Sequence, residues 1–507
     1  MEQSRIKNTK RNIIFSYIDT IITMVFAFVS RSIIVHVLGD EYLGLSSLFS
    51  SILQVLNMAE LGFSSAIVYN MYKPLAEGDT VKVRALLNYY RKIYRIVGIT
   101  VLVVGTAISP FLPKLIHGEI PPDVNLYVLY FLFLANTGLS YLLFAYKTAL
   151  LESLQRMDLT KIAYSIVNIV QHILQIVVLF CFKNYYLFVV IIILATVAKN
   201  LFTAWIARKK FPQYFCAGTI DEPTRKDIIR RVKGLLIGNI SSVTYTTLDS
   251  IILSSFVGLT AVAIYNNYYT ICSSVLMMVA LIRGAMQASV GNSVATESIE
   301  KNYEDMLLWQ FLFSVISGWC VTCMASLFQP FMTLWMGPDR LLGMMDVVLL
   351  CMWFFVIIAQ HACFVYLSGT GAWWEMRWPY ILSTVCNLVL NIVLGKTWGI
   401  TGILFASFFS STVFGLIWQV AILFRLYFKK SMKQFQLREL TYFCVSAAAA
   451  AGAYFLNSQI PVDGIPGLIV RGAVCTVVFA AAAFIAYSRT DICRRAVAFT
   501  KKALKRS

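Results

Sequence analysis

Charged residues are scarce in this chain: Asp, Glu, Lys and Arg make up only 13% of its 507 residues, whereas soluble domains carry about a quarter. There are only 4 histidines, and Cys320 and Cys323 form a C-x-x-C pair without the second pair or histidine cluster of a zinc site. No phosphate-binding loop or nucleophile elbow is present. These absences exclude a soluble protein and argue against zinc-dependent and nucleotide-hydrolysing enzymes.

Most of the chain consists of long apolar stretches. Hydrophobic residues make up 59% of the chain, and the mean hydropathy is +0.72. Because hydrocarbon offers no partner to an unpaired peptide group, each stretch of about 20 residues predicts a helix. We predict an all-α polytopic membrane protein with about 14 transmembrane helices. The predicted spans are residues 13–38, 43–68, 95–116, 124–150, 162–182, 186–207, 234–257, 261–287, 306–328, 344–367, 377–395, 400–424, 438–457 and 466–487.

The net charge of +18 is distributed unevenly. Most lysines and arginines lie in the two termini and in alternate loops. This pattern predicts that those segments are cytoplasmic, and it argues against a nucleic-acid partner. We therefore predict cytoplasmic termini and contact with anionic membrane lipids. The basic tail beyond Tyr487 is typical of an amphipathic helix on the membrane surface.

The chain divides into two similar halves and an added pair of helices. We predict an N-terminal six-helix lobe (1–210), a basic cytoplasmic linker (211–233), a C-terminal six-helix lobe (234–430), and two further transmembrane helices with the basic tail (431–507). The turn at Gly39, with Gly44 five residues later, aligns without a gap with Gly258 and Ala263. Such duplication is typical of transporters, whose sites lie where the repeats meet.

Two short motifs carry a family resemblance: Leu38-Gly39-Asp40-Glu41-Tyr42-Leu43-Gly44-Leu45, and then Glu60-Leu61-Gly62-Phe63 with Ala66. Followed by a basic segment, they resemble the start of polysaccharide transporters that flip lipid-linked oligosaccharides, in the multidrug, oligosaccharidyl-lipid and polysaccharide (MOP) exporter superfamily. The resemblance implies a bacterial inner-membrane flippase, alternating access between two lobes, and a polyprenyl-diphosphate sugar as substrate. Polysaccharide assembly proteins would be its partners.

A few charges lie within the predicted spans, where they are costly and therefore candidates for function. Arg31 and Asp249 form an outer layer, roughly 10 to 12 Å from the outer helix ends. Asp19, Glu60 and Arg283 form an inner layer. We hypothesise that the arginines attract the substrate diphosphate while the carboxylates hold them in the empty state. Proton or sodium coupling through the carboxylates is a competing use, and headgroup contact or simple packing is the structural alternative.

Sugar recognition requires polar and aromatic groups on the cavity wall. The second span offers the candidates Ser50, Gln54 and Asn57, and the eighth offers Tyr265, Asn266 and Tyr269. Interhelical packing and an interfacial tyrosine belt explain the same residues without a ligand. We predict no cofactor and no metal site.

Two other functions fit parts of the pattern. A multidrug or small-molecule exporter of the same superfamily would share the architecture, but the intramembrane arginines and the extra helix pair weigh against it. A membrane-embedded glycan-processing enzyme would need an acidic or histidine cluster in a sizeable outer loop, and the outer loops are small. We therefore expect a transporter and not an enzyme.

Overall fold

The computed structural model describes residues 2–60, 63–117, 120–372 and 374–504. Within these ranges the side chains of 2–18, 59, 65, 231, 233–246, 285, 288 and 502–504 are not described. By packing, the chain forms two compact units, residues 1–263 and 264–507. The boundary at residue 263 reflects which residues pack together. The predicted lobes, 1–210 and 234–430, are defined instead by the similarity of the two halves in sequence, and their boundaries stay a prediction.

All regular structure in the described part of the chain is helical. The first unit contains α1 (Glu2–Val37), α2 (Asp40–Leu56), α3 (Phe63–Glu77), α4 (Thr80–Ile108), α5 (Leu126–Leu142), α6 (Tyr146–Ser153), α7 (Met157–Phe182), α8 (Tyr185–Lys210), α9 (Glu222–Phe256) and the start of α10 (Leu259–Thr296). The second unit contains the rest of α10, α11 (Ile299–Met336), α12 (Met344–Thr370), α13 (Arg377–Trp398), α14 (Ile400–Ser410), α15 (Val420–Leu423), α16 (Lys433–Ser458), α17 (Gly464–Tyr487) and α18 (Asp491–Leu504). Two π-helical segments, Ser411–Gln419 and Phe424–Phe428, flank α15.

The predicted all-α membrane architecture is confirmed, and the number of spans is not. Among the described residues, 11 helices are long and apolar enough to cross a membrane, or 12 if α5 and α6, bent by 48°, form one span. The predicted span 43–68 is divided, because a 3₁₀ turn at Asn57–Glu60 separates α2 from α3. In α9, the side chains of 233–246 lie outside the described residues. The count of 14 stays a prediction.

The turn glycines that align in sequence have the same geometry. Gly39 has φ 121° and Gly258 has φ 122°, a region that favours glycine because a Cβ would clash there. In both turns two successive N–H groups donate to one carbonyl: Leu38 and Gly39 to Ile34, and Val257 and Gly258 to Leu253. The two predicted turns therefore share one backbone geometry, and the duplication of the two halves stays a prediction.

Helix packing in the first unit depends on close backbone approach. A Cβ on Gly44 of α2 would lie 2.4 Å from the carbonyl oxygen of Leu259, at the start of α10. In the same unit, α2 packs along α9, α1 along α7, and α4 along α5. In the second unit α11 is central and packs against α12, α16 and α17.

Candidate functional site

A cavity of about 320 Å³ opens inside the first unit, between the 3₁₀ turn and helices α3 to α8. Glu60 and Lys199 bring opposite charges to its wall. The remaining wall is rich in hydroxyl groups and tyrosines; its other lining residues are Ser64, Tyr90, Tyr94, Ser140, Tyr141, Ala145, Thr148, Ala149, Tyr164, Thr196 and Asn200. The cavity is therefore polar, with one carboxylate and one ammonium group in its wall.

Tyrosines hold the Glu60 carboxylate in place. The Tyr94 hydroxyl donates to Glu60 Oε1, and the Tyr90 hydroxyl donates to that of Tyr94 over 2.7 Å. Tyr141 also hydrogen-bonds Glu60 and packs edge-on against Tyr94, with ring centroids 5.6 Å apart. Hydrogen bonds to an ionised acceptor are strong, and they compensate a carboxylate that has left bulk water. Of these four residues, only Glu60 is a candidate predicted from the sequence.

Asp19 forms an ion pair that sequence analysis did not foresee. Its side chain on α1 is buried, and its Oδ2 lies 2.7 Å from Lys161 Nζ on α7. The Ser165 hydroxyl, one turn further along α7, donates to Asp19 Oδ1 over 3.2 Å. Lys161 lies just outside the predicted span 162–182. The available signal was the Lys161–Ser165 spacing, because residues four apart share one helix face.

Further polar contacts join α7 to its neighbours. The Lys199 ammonium on α8 donates to Gln171 over 3.4 Å, and His172 hydrogen-bonds Ser30 of α1 over 3.1 Å. The His172 ring also stacks on Phe26, with centroids 4.5 Å apart. These contacts satisfy polar groups between helices and pack α1 against α7.

The two outer-layer residues are both in the first unit. Arg31 on α1 lies close enough to Tyr185, the first residue of α8, to interact with it electrostatically. Asp249 on α9 is buried, with 3% of its surface exposed. Both have further interactions, and their pairing with each other stays a prediction.

Arg283, the remaining predicted charge, lies on α10 in the second unit. Its guanidinium is 4.9 Å from the centroid of the Phe364 ring on α12, and Tyr380 on α13 interacts with it electrostatically. A cation over an aromatic face is stabilised by the ring quadrupole. That the inner-layer carboxylates Asp19 and Glu60 hold Arg283 in the empty state stays a prediction.

The predicted sugar contacts on α2 form one face of that helix. Ser50 and Gln54 are exposed, and Asn57 follows them in the 3₁₀ turn. Asn57 Oδ1 is buried without a hydrogen-bond partner among the described residues. The opposite face of α2 is apolar and buried, with Leu45, Leu48, Phe49, Ile52 and Leu53 between 0 and 4% exposed.

The tyrosines of α10 differ from one another in their environment. Tyr265 is 5% exposed and stacks on Tyr269, with centroids 6.1 Å apart, and Asn266 is half-buried beside them. Tyr268, in contrast, donates to Gln329 over 2.8 Å and is part of the internal packing of the second unit. A sugar-binding role for Tyr265, Asn266 and Tyr269 stays a prediction.

The second unit contains a buried amide cluster that sequence analysis missed. Asn387 and Asn391, four residues apart on α13, are both fully buried, and Asn387 donates to Ser407 and Ser410 over 3.3 Å each. Gln360 of α12 donates to the Ser411 carbonyl, where the first π-helical segment begins. The signal in the sequence was the pair of asparagines four residues apart in an apolar span, a spacing that places both on one helix face. Glu439 on α16 was also missed; it is 4% exposed and accepts a hydrogen bond from Ser314.

Comparisons with known proteins agree on one architecture. A family model described as "Polysaccharide biosynthesis protein" matches residues 9–286. The structure titled "Lipid II flippase MurJ, inward closed conformation" has a TM-score of 0.67 at 14% identity, covering 94% of this chain and 99% of that chain. An inward-facing multidrug resistance MATE family transporter of the MOP superfamily has a TM-score of 0.66 at 16% identity, covering 80% of this chain and 95% of that chain. A MOP superfamily transporter from Pyrococcus furiosus has a TM-score of 0.56 at 14% identity, covering 84% and 97%. None of the curated proteins matches the chain. At these identities the structural matches show the fold alone, and it is the fold that these three transporter structures share.

Proposed function

We propose a function from the premise that this chain belongs to the family of polysaccharide biosynthesis proteins, whose model matches more than half of its length. The protein is a flippase that moves a lipid-linked oligosaccharide repeat unit from the cytoplasmic to the outer leaflet by alternating access. It acts in surface polysaccharide biosynthesis, in a bacterial inner membrane, with both termini in the cytoplasm. Its substrate is a polyprenyl-diphosphate sugar.

The polar face of α2 is the observation that carries this proposal. An isolated amide facing hydrocarbon costs several kcal/mol, so a lipid-facing helix turns its apolar side outward. In α2 the reverse holds, since the leucines are buried while Ser50 and Gln54 are exposed. Such a face fits the wall of a water-filled path in which hydroxyl and amide groups bind sugar.

The charges within the predicted spans fit the requirements of a diphosphate carrier. Arginine binds phosphate oxygens in pairs and stays ionised, which suits Arg31 and Arg283 to attract the substrate headgroup. Asp19, held by Lys161, and Glu60, held by Tyr94, are carboxylates already supplied with partners. A proton or sodium ion that competes with those partners would couple a gradient to the cycle.

Export in cells tests the role of α2. In a strain that lacks its own exporter of the glycan, Gln54→Ala lowers export by roughly two- to tenfold, the effect of one lost hydrogen bond of about 0.5–1.5 kcal/mol. Gln459→Ala is the matched control, because Gln459 is also an exposed glutamine but lies beyond the outer end of α16. Equal export by both variants at matched protein levels would remove the α2 face from the substrate path.

A small-molecule exporter is the second candidate, because the transporter and flippase structures match this fold almost equally, with TM-scores of 0.66 and 0.67. Deletion of the gene separates the two functions. If the protein is a flippase, its deletion removes the surface glycan and leaves drug susceptibility unchanged. If it is a small-molecule exporter, its deletion raises drug susceptibility and leaves the surface glycan in place.

A further inference from the structure

A second cavity, of about 700 Å³, lies in the second unit between α11, α17 and α18. Its wall is mostly apolar, with aromatic and alanine side chains from the two long helices. Two cations, Arg494 and Lys501, lie on the α18 side. The full lining is Phe311, Val315, Ala480, Ala483, Phe484, Tyr487, Ser488, Cys493, Arg494, Val497, Ala498 and Lys501.

Helix α18 is attached to α11 along one side. Arg495 lies 3.2 Å from the Glu304 carboxylate and 3.9 Å from that of Asp305, both near the start of α11. The Phe499 ring packs edge-on against Trp309, with centroids 5.3 Å apart. These contacts fix the rotation of α18 about its axis, so that the side with Cys493 and Val497 faces the cavity.

That side of α18 combines an apolar stripe with a cationic edge. Cys493 and Val497 are four residues apart and turn toward the cavity, and Arg494 and Lys501 lie one helical step further round. Arg494 is 3.6 Å from Asp491, but both side chains are largely exposed, at 70 and 93%. An exposed pair of this kind contributes little, so the guanidinium can exchange Asp491 for a phosphate.

The chemistry of the cavity selects its occupant. An apolar trough that ends at two cations complements a molecule with an acyl chain and an anionic headgroup, and basic amphipathic helices bind anionic lipids at the membrane surface. We propose that this cavity binds one anionic phospholipid, with an acyl chain against α11 and α17 and its phosphate held by Arg494 and Lys501. The lipid then bridges three helices of the second unit. A zwitterionic lipid binds there more weakly, because its positively charged ammonium group is repelled by the same two cations.

Lipid binding to the purified full-length protein tests the proposal. In detergent, native mass spectrometry compares palmitoyl-oleoyl phosphatidylglycerol with palmitoyl-oleoyl phosphatidylcholine. The wild-type protein prefers the phosphatidylglycerol roughly ten- to thirtyfold, the range expected from two cations near an anionic headgroup. The double variant Arg494→Gln/Lys501→Gln loses this preference.

Two further variants separate the cavity from general charge attraction. Arg489→Gln/Lys433→Gln removes the same net charge from two exposed residues outside the cavity lining, and it keeps the preference. Ala483→Phe fills the apolar end and weakens the binding of both lipids. An elution profile and a melting temperature equal to those of the wild-type protein establish that each variant is folded.

Several results would overturn the proposal. One is a preference for phosphatidylglycerol that survives in Arg494→Gln/Lys501→Gln. Another is an equal loss of that preference in Arg489→Gln/Lys433→Gln. The third is unaltered binding of both lipids to Ala483→Phe. Displacement of phosphatidylglycerol by a polyprenyl diphosphate at equal concentration would assign the cavity to the transported substrate instead. Because the readout is lipid binding, failure of the flippase proposal leaves this test intact.

Discussion

Removal of the lysine from the Asp19–Lys161 ion pair is the sharpest perturbation of the first unit. The two charged atoms are 2.7 Å apart, and the side chains are only 10% and 27% exposed for Asp19 and Lys161. At an effective dielectric constant of about 20, such charges attract by roughly 6 kcal/mol before desolvation is subtracted. The net effect of breaking a buried pair is about 3–5 kcal/mol, because one charge is left without a partner.

Lys161→Met therefore lowers the free energy of unfolding by about 2–4 kcal/mol, somewhat less than for a fully buried pair because the lysine is partly exposed. Asp19→Asn costs less, since the lysine can turn toward water and Ser165 can still bond the amide. The double variant Asp19→Asn/Lys161→Met regains most of the loss, which gives a favourable coupling energy of about 2 kcal/mol. Unfolding in mixed detergent and dodecyl sulfate measures all four proteins of this cycle.

The exposed pair Lys73–Glu77 provides the matched control in the same unit. Its atoms are 3.8 Å apart, and the side chains are 84 and 59% exposed. Lys73→Met should cost less than about 0.5 kcal/mol, as for other surface pairs on a helix. Similar losses for Lys161→Met and Lys73→Met, or a coupling energy near zero, would refute the reasoning that Asp19 and Lys161 form a buried pair. Export by the double variant then reports on transport, because that variant has recovered stability without the Asp19 charge.

Two more substitutions test individual contacts. Gly44→Ala should destabilise by about 1–3 kcal/mol, because its new Cβ would meet the Leu259 carbonyl at 2.4 Å. Gly284→Ala is the control and should be neutral or stabilising, because no atom of the described residues lies within 4 Å of its new Cβ. Equal melting temperatures for the two variants would disprove the close contact. Tyr94→Phe removes a hydrogen bond to the Glu60 carboxylate and should cost about 1.5–3 kcal/mol, measured by unfolding in mixed detergent. Tyr164→Phe in the same cavity is its control, because no hydrogen bond from Tyr164 to Glu60 is found among the described residues; an equal loss there would show that the effect is not specific to the carboxylate.

Local sequence pattern was sufficient for some features of this fold. Long apolar stretches predicted the all-α membrane architecture, and the spacing around Gly39 and Gly258 predicted two turns that share their φ angle and hydrogen bonds. Both features depend on residues close in sequence, where helical period and glycine conformation decide the outcome.

The partners of the buried charges could not be predicted in the same way. Asp19 and Lys161 are 142 residues apart, and the Tyr94 hydroxyl reaches Glu60 across 34 residues. Such contacts depend on how each helix is rotated and how deeply it is placed against its neighbour. The break between α2 and α3 was missed for a related reason, since a 3₁₀ turn within an apolar run leaves hydropathy unchanged.

Transport by the purified protein in vesicles tests the central claim most directly. A fluorescent polyprenyl-diphosphate oligosaccharide is placed in the leaflet that corresponds to the cytoplasm, and a membrane-impermeant quencher reports its arrival in the other leaflet. We predict rapid arrival in vesicles with the protein, slower arrival with Gln54→Ala, and an unchanged rate with Gln459→Ala. Arrival no faster than in protein-free vesicles, under every ion gradient applied, would contradict the account.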